Sequence, residues 1–270
     1  MIECGDSVRE VGRDVLLKVV GYSSAANQPQ AQHGNGVAKI PSELSGYPLS
    51  RYFLSGYLSR KEDPVNFPPG DLAEVFQRYE NLFGDSLKAL GLSKESLRAR
   101  SEFNFGSGDA ANLEGGIAIL RVVCALEREG FVKIALVRPG RGGGADITCE
   151  MEGHKFCCEV KAITKQSRPG MGVYLADQLY SKMLESVSKA GLQLGASARE
   201  LGCSVRIFVC VVNWFLHSIH LGQNDYKHIV RRLEREGDQQ SLVGIDGVFI
   251  VTRMGDTFLF PANTETASVA

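Results

Sequence analysis

The sequence predicts an α/β fold, a mixed central sheet flanked by helices, with a helical N-terminal accessory region. Three stretches carry that expectation. Residues 145–161 alternate polar and apolar side chains about a turn, as a β-hairpin does. Residues 204–212 (Ser-Val-Arg-Ile-Phe-Val-Cys-Val-Val) are nearly all apolar, as a strand covered on both faces should be. Between them apolar residues recur at helical spacing: Leu175, Leu179, Met183, Leu184, Val187 and Leu192. A strand, a helix of that length and a buried strand make a parallel crossover. Hairpin and crossover together make the sheet mixed.

The elements follow in order. Residues 1–20 carry a weak apolar pattern (Val8, Val11, Val15, Leu16, Val19, Val20) that reads as one helix or as a short helix and strand. Tyr22–Gly70, rich in Ser, Gln, Asn, Gly and Pro, reads as irregular, with Tyr47, Tyr52, Phe53 and Tyr57 either stacking bases or, the commoner use, anchoring it to the core. Asp71 caps a helix whose apolar positions are Leu72, Val75, Phe76, Tyr79, Leu82 and Phe83, and Gly84 is its expected end. Ser93 caps a second, short helix to Arg100. Phe105-Gly106-Ser107-Gly108 marks the expected boundary. It gives an accessory region over 1–108, a main domain over 109–262 and a tail over 263–270. The main domain opens with a helix from about Ala110 to Glu129, then a strand over 131–137. The helix after the hairpin spans about Gly172–Leu201, with Gly191, Gly195 and Gly202 as candidate breaks or ends. Residues 224–236 read as a helix and 247–260 as a final hairpin.

Composition limits the function classes. With 30 basic and 31 acidic residues among 270, the net charge is −1, so any nucleic-acid contact must come from local patches. No apolar run approaches the roughly 20 residues that span a bilayer, and the N-terminus does not read as a signal peptide. The seven cysteines form no Cys-x-x-Cys pair and lie largely in apolar strand runs. They read as small buried hydrophobes in a reducing compartment. The expectation is a soluble cytoplasmic protein.

The chemistry concentrates in the hairpin. With Glu152-Gly153 at a two-residue tip, paired residues have numbers summing to 305. Glu150 then faces Lys155, Thr148 faces Cys157, and Asp146 faces Glu159. Alternation puts Asp146, Thr148, Glu150, Lys155, Cys157, Glu159 and Lys161 on a polar face expected to open to a groove. Ala145, Ile147, Cys149, Phe156, Cys158 and Val160 fall on a core face. Like charges directly opposed are destabilising. Two facing carboxylates beside a lysine therefore suit a hard divalent cation, or else an ordinary charged face with an ion pair from Lys161.

At these residues the chain resembles the PD-(D/E)XK nuclease superfamily, the restriction-endonuclease-like fold. Asp146, a short hairpin and Glu159-Val160-Lys161 match its signature. The preceding stretch resembles the Mrr-like and Holliday-junction-resolvase-like branches. Glu114 opens a helix that ends at Gly130. Phe131–Val137 and the glycine-rich Arg138–Gly144 then lead to the Asp strand. Ala145 stands where proline often precedes the Asp. The Gln-x-x-x-Tyr element of the exonuclease branch is present only as Gln178 with Lys182. The resemblance implies Mg2+ or Mn2+ held by Asp146, Glu159 and the Val160 carbonyl. It implies Lys161 positioning water and stabilising developing charge, and Glu114 as an accessory acid, whose plainer reading is an exposed acid favoured near a helix start. The implied activity is phosphodiester hydrolysis, of DNA rather than RNA, in defence or repair, with room for a homodimer. The rival is a nuclease-like module that binds nucleic acid or a protein partner without cutting. Contacts to DNA would concentrate at Arg138, Arg141, Lys165, Arg168, Lys227, Arg231 and Arg235, the last three on a helix that reads equally as a solvated amphipathic face.

Overall fold

A computed structural model describes residues 46–58, 72–105, 110–138, 144–163, 176–212, 228–229, 231–232, 244–252 and 257–261. The sequence-based expectations for residues 1–20 and for Tyr22 to 45 lie outside them. Among the described residues, the helices α1 (Pro48–Leu58), α2 (Leu72–Leu90), α3 (Lys94–Arg98), α4 (Ala110–Arg128) and α5 (Ala176–Leu201) accompany six strands. These are β1 (Val132–Leu136), β2 (Ile147–Met151), β3 (His154–Ile163), β4 (Val205–Val212), β5 (Gly247–Val251) and β6 (Thr257–Pro261). The strands form one six-stranded sheet in sequential order. β1, β2 and β3 are antiparallel neighbours, β3, β4 and β5 run parallel, and β6 returns antiparallel to β5. The α/β class and the mixed sheet are as the sequence predicts.

The β2–β3 hairpin keeps the expected register, with Glu150 opposite Lys155, Thr148 opposite Cys157 and Ile147 opposite Cys158. At its tip both Glu152 (φ 48) and Gly153 (φ 80) are left-handed, the requirement of a type I′ turn whose twist suits the strands. Burial of the two hairpin faces differs from expectation. Ile147, Cys149, Phe156, Cys158 and Val160 pack with Val122, Val123 and Leu126 of α4, as a core face should. The other face is also covered. Cys157 is buried with Leu179, Met183, Val187 and Leu194 of α5, together with Phe208, Cys210, Val248 and Ile250. Ala145 joins this second cluster instead of the first, which marks a break in alternation just before Ile147. The crossover helix lies over what an isolated hairpin presents as an open polar face.

The helix α5 is continuous through Gly191 and Gly195 and ends at Gly202, whose φ of 63 suits a left-handed cap. The close approach beside Gly191 requires glycine at Gly244 (φ 83), where a Cβ would stand 2.8 Å from the Gly191 carbonyl oxygen. Lys155 Nζ donates to the Leu201 carbonyl at 2.7 Å, closing this end onto the hairpin.

Two expectations in the N-terminal part fail for identifiable reasons. The stretch read as irregular contains the helix α1. Its start is stabilised from a distance, because the Leu49 and Ser50 N–H groups donate to the Glu80 carboxylate of α2 at 3.0 and 2.8 Å. A carboxylate at a helix N-terminus satisfies otherwise orphaned donors, and a partner thirty residues away leaves no local signal. Gly84 does not end α2. The helix carries Ser86 onward to donate to the Leu120 carbonyl of α4 at 3.2 Å, and it stops at Gly91 (φ 61). There Leu92 N–H donates to the Leu87 carbonyl and Gly91 N–H to that of Lys88, the paired bonds of a glycine-terminated helix. Ser93 caps α3 as expected, accepting from the Ser96 N–H at 3.1 Å.

A third core cluster joins these helices to α4, with Phe53, Leu54, Tyr79, Phe83, Leu97, Phe103 and Phe105 against Leu113, Ile117 and Leu120. Its closest approach is at Gly116, where a Cβ would stand 2.6 Å from both the Glu102 carbonyl oxygen and a Phe105 ring carbon. Gly116→Ala gains helix propensity but forces a backbone oxygen aside, so a net loss of about 1–3 kcal/mol is expected in urea titration. An unchanged midpoint would refute this contact.

Candidate active site

Asp146 sits in a bend at the entrance to β2, and Glu159 and Lys161 lie two residues apart on β3. The Asp146 N–H donates to the Cys158 carbonyl at 2.8 Å, one step out of the register that pairs Ile147 with Cys158. This is the offset a β-bulge makes. It moves Asp146 out of direct opposition to Glu159, which corrects the facing geometry expected from the uninterrupted ladder. The carboxylate turns to the edge of β3 instead, where Oδ2 accepts the Val160 N–H at 2.7 Å. A strand residue presents its N–H and C=O to the same edge. The Val160 carbonyl therefore points to the side on which Asp146 lies, beyond the end of β2.

Glu159 is 3% exposed, an unusual place for a carboxylate. Its Oε1 pairs with Lys161 Nζ at 2.5 Å, while the Lys161 side chain remains 44% exposed. Its Oε2 is buried with no hydrogen-bond partner among the described residues, a costly condition for an anionic oxygen. Burial pushes the Glu159 carboxyl up, against the hydrogen bond and charge of Lys161. For Asp146, burial first and the Glu159 charge second push the carboxyl up to about 7, against the Val160 N–H and Lys161. Glu102 adds to the rise. A buried and a half-buried carboxylate, both with raised affinity for a proton, make a site deficient in positive charge.

The structure thus brings together Asp146, Glu159, Val160 and Lys161. Glu114 is 3% exposed within α4, so it is not the exposed helix-start acid of the plainer sequence reading. An acid outside β2 and β3 that acts on Asp146 is Glu102, from the 3-10 turn Ser101–Phe103. In sequence Glu102 and Arg100 look like charges at a helix end. Ser197 was also missed. It accepts the Ala145 N–H at 3.1 Å, and a Cβ on Gly144 would meet its hydroxyl at 2.6 Å. The run Gly195-Ala196-Ser197-Ala198 was the available signal, because small residues on a helix allow backbone to approach.

Of the expected DNA contacts, Arg138 and Arg231 are exposed. Arg141, Lys165, Arg168, Lys227 and Arg235 lie outside the described residues, as does the Gln178 side chain. Residues 228–229 and 231–232 are helical. Arg232 pairs with Asp177 at 2.6 Å and covers the Tyr180 ring at 4.1 Å, packing against α5. No described helix is long and apolar enough to cross a membrane. Among the described residues no group of three or more His, Cys, Asp or Glu is arranged around a common metal position.

No family model matches the chain, and no curated protein matches it. Among solved structures, a chain of the CdiA-CT/CdiI toxin and immunity complex from Burkholderia pseudomallei is similar with a TM-score of 0.33 and 9% identity, over 57% of this chain and 89% of that one.

Proposed function

We propose that this chain is a Mg2+- or Mn2+-dependent nuclease that hydrolyses phosphodiester bonds, with DNA as its substrate. The observation that carries the reading is the Glu159 carboxylate, buried with one oxygen unpartnered, beside a second carboxylate with raised proton affinity and a half-exposed lysine. The element order supports it. A helix, the β1 strand, the Asp146 bend, the Glu-x-Lys strand and a parallel crossover follow the restriction-endonuclease-like pattern that the sequence resembles.

The donor set fits a hard cation: Asp146 and Glu159 carboxylate oxygens with the Val160 carbonyl, all oxygen ligands. Bound there, a divalent ion supplies positive charge against a non-bridging phosphate oxygen and acidifies attacking water. The chain's own residues do the rest. Burial excludes competing water from Glu159 and keeps its oxygen available. The Val160 N–H fixes the Asp146 carboxylate at the β3 edge. Lys161, with its ammonium half in solvent, orients water and faces the negative charge that develops on the phosphate.

The test is cleavage of plasmid, linear, branched and single-stranded DNA, with RNA alongside, in Mg2+ and then with chelator. Chelator-sensitive cutting supports the reading. DNA binding in Ca2+ without cutting in any metal would identify the non-cleaving module instead. Binding should also depend on salt, with log affinity falling by about 0.9 per log unit of salt for each phosphate contact. Replacing exposed Arg138 and Arg231 together should therefore shallow the slope by up to about 2. Fluorescence anisotropy measures it, and an unchanged slope would route the DNA elsewhere.

A further inference from the structure

Arg100 follows α3 and precedes the turn carrying Glu102, far in sequence from the hairpin. Its guanidinium donates to the Val137 carbonyl at 2.5 Å, while its Nε donates to Glu102 at 2.7 Å. Val137 lies just past the end of β1, and its N–H donates to the Asp146 carbonyl at 2.8 Å. The Asp146 side chain in turn accepts the Val160 N–H. A chain of hydrogen bonds therefore runs from the N-terminal helices through the backbone C=O and N–H of Val137 to the carboxylate bend. The other supports of that bend come from the sheet and α5, through Cys158 and Ser197.

We propose that Arg100 is a positioning residue for the Asp146 bend, through which the N-terminal helices set the geometry of the carboxylate site. A charged donor to a partly buried carbonyl is stronger than a neutral one. The fork of the guanidinium holds Val137 and Glu102 at once, which a lysine's single point of charge cannot reproduce. The link ends on Val137 and Glu102, so its loss is expected first at the Asp146 bend. The inference rests on the nuclease reading only for its consequence on rate.

The experiment is amide hydrogen exchange by NMR on the full chain, comparing wild type with Arg100→Ala and Arg100→Lys. The reporters are the Val137, Asp146 and Val160 amides. The controls are Val209 and Phe249 in β4 and β5. Exchange should quicken about tenfold at the reporters in Arg100→Ala, with less at Arg100→Lys, and by under about twofold at the controls. Unchanged reporters, or reporters and controls quickened alike, would overturn the proposal, since the second pattern is general destabilisation. Should Arg100→Ala not fold, the same comparison in Arg100→Lys decides. In single-turnover cleavage the rate should fall about tenfold with DNA affinity unchanged. A wild type that cuts nothing removes the nuclease reading and leaves the exchange result to judge the positioning role.

Discussion

Asp146→Asn should lower metal-dependent cleavage by at least about a hundredfold and at the same time stabilise the metal-free protein above neutral pH. The two effects share one cause. Burial and the Glu159 charge raise the Asp146 carboxyl to about 7 in the folded chain, against about 3.9 when unfolded. A raised carboxyl means that the folded state holds its proton longer. The stability it contributes is present below about pH 4 and is lost as pH climbs from there to about 7. Asparagine keeps an acceptor for the Val160 N–H and never ionises. At pH 8 in chelator the mutant should therefore be more stable, on the order of 2–4 kcal/mol, and the difference should vanish near pH 4. Chemical denaturation at the two pH values measures it. A mutant destabilised at pH 8 would make the carboxylate a structural group and would remove the charge-deficient site on which the nuclease reading stands.

How far the sequence made this site legible depends on the range of the interactions involved. The hairpin register was readable because the Glu152-Gly153 tip and the strand alternation are local. The parallel crossover was readable because the strand over 205–212 is apolar on both faces. Two features were not. The one-residue offset at Asp146 arises from its N–H reaching the Cys158 carbonyl, which alternation alone does not encode. The covering of Cys157 comes from where α5 packs, a tertiary fact that turns an apparent solvent face into a buried one, and Glu159 two residues on is buried as well. The helix α1 was lost in the same way, since Glu80 satisfies its first N–H groups from another helix. Arg100 shows the limit most clearly. It resembles any charge at the end of a short helix, and only the fold reveals the Val137 carbonyl it holds.

A large expected loss of stability belongs to Lys161→Ala. The Lys161 ammonium is the charge paired with Glu159 at 2.5 Å, and the other Glu159 oxygen has no hydrogen-bond partner among the described residues. Removing one member of a buried pair strands the other. The usual penalty is about 3–5 kcal/mol, and it should be nearer about 2–3 here because Lys161 itself is half exposed. Without the ammonium the Glu159 carboxyl rises further, so the deficit of Lys161→Ala should be small near pH 4 and grow as pH rises past the carboxylate range. Pairing Lys161→Ala with Glu159→Gln should recover most of the stability, because the stranded charge is gone. On the proposed reading, a divalent ion would compete with the lysine for the same carboxylate. Mn2+ should therefore raise the melting temperature of Lys161→Ala more than that of wild type, while cleavage stays lost. If Mn2+ stabilises the mutant no more than wild type, the ion does not share Glu159 with Lys161. The pair is then a structural ion pair and the divalent-ion site lies elsewhere.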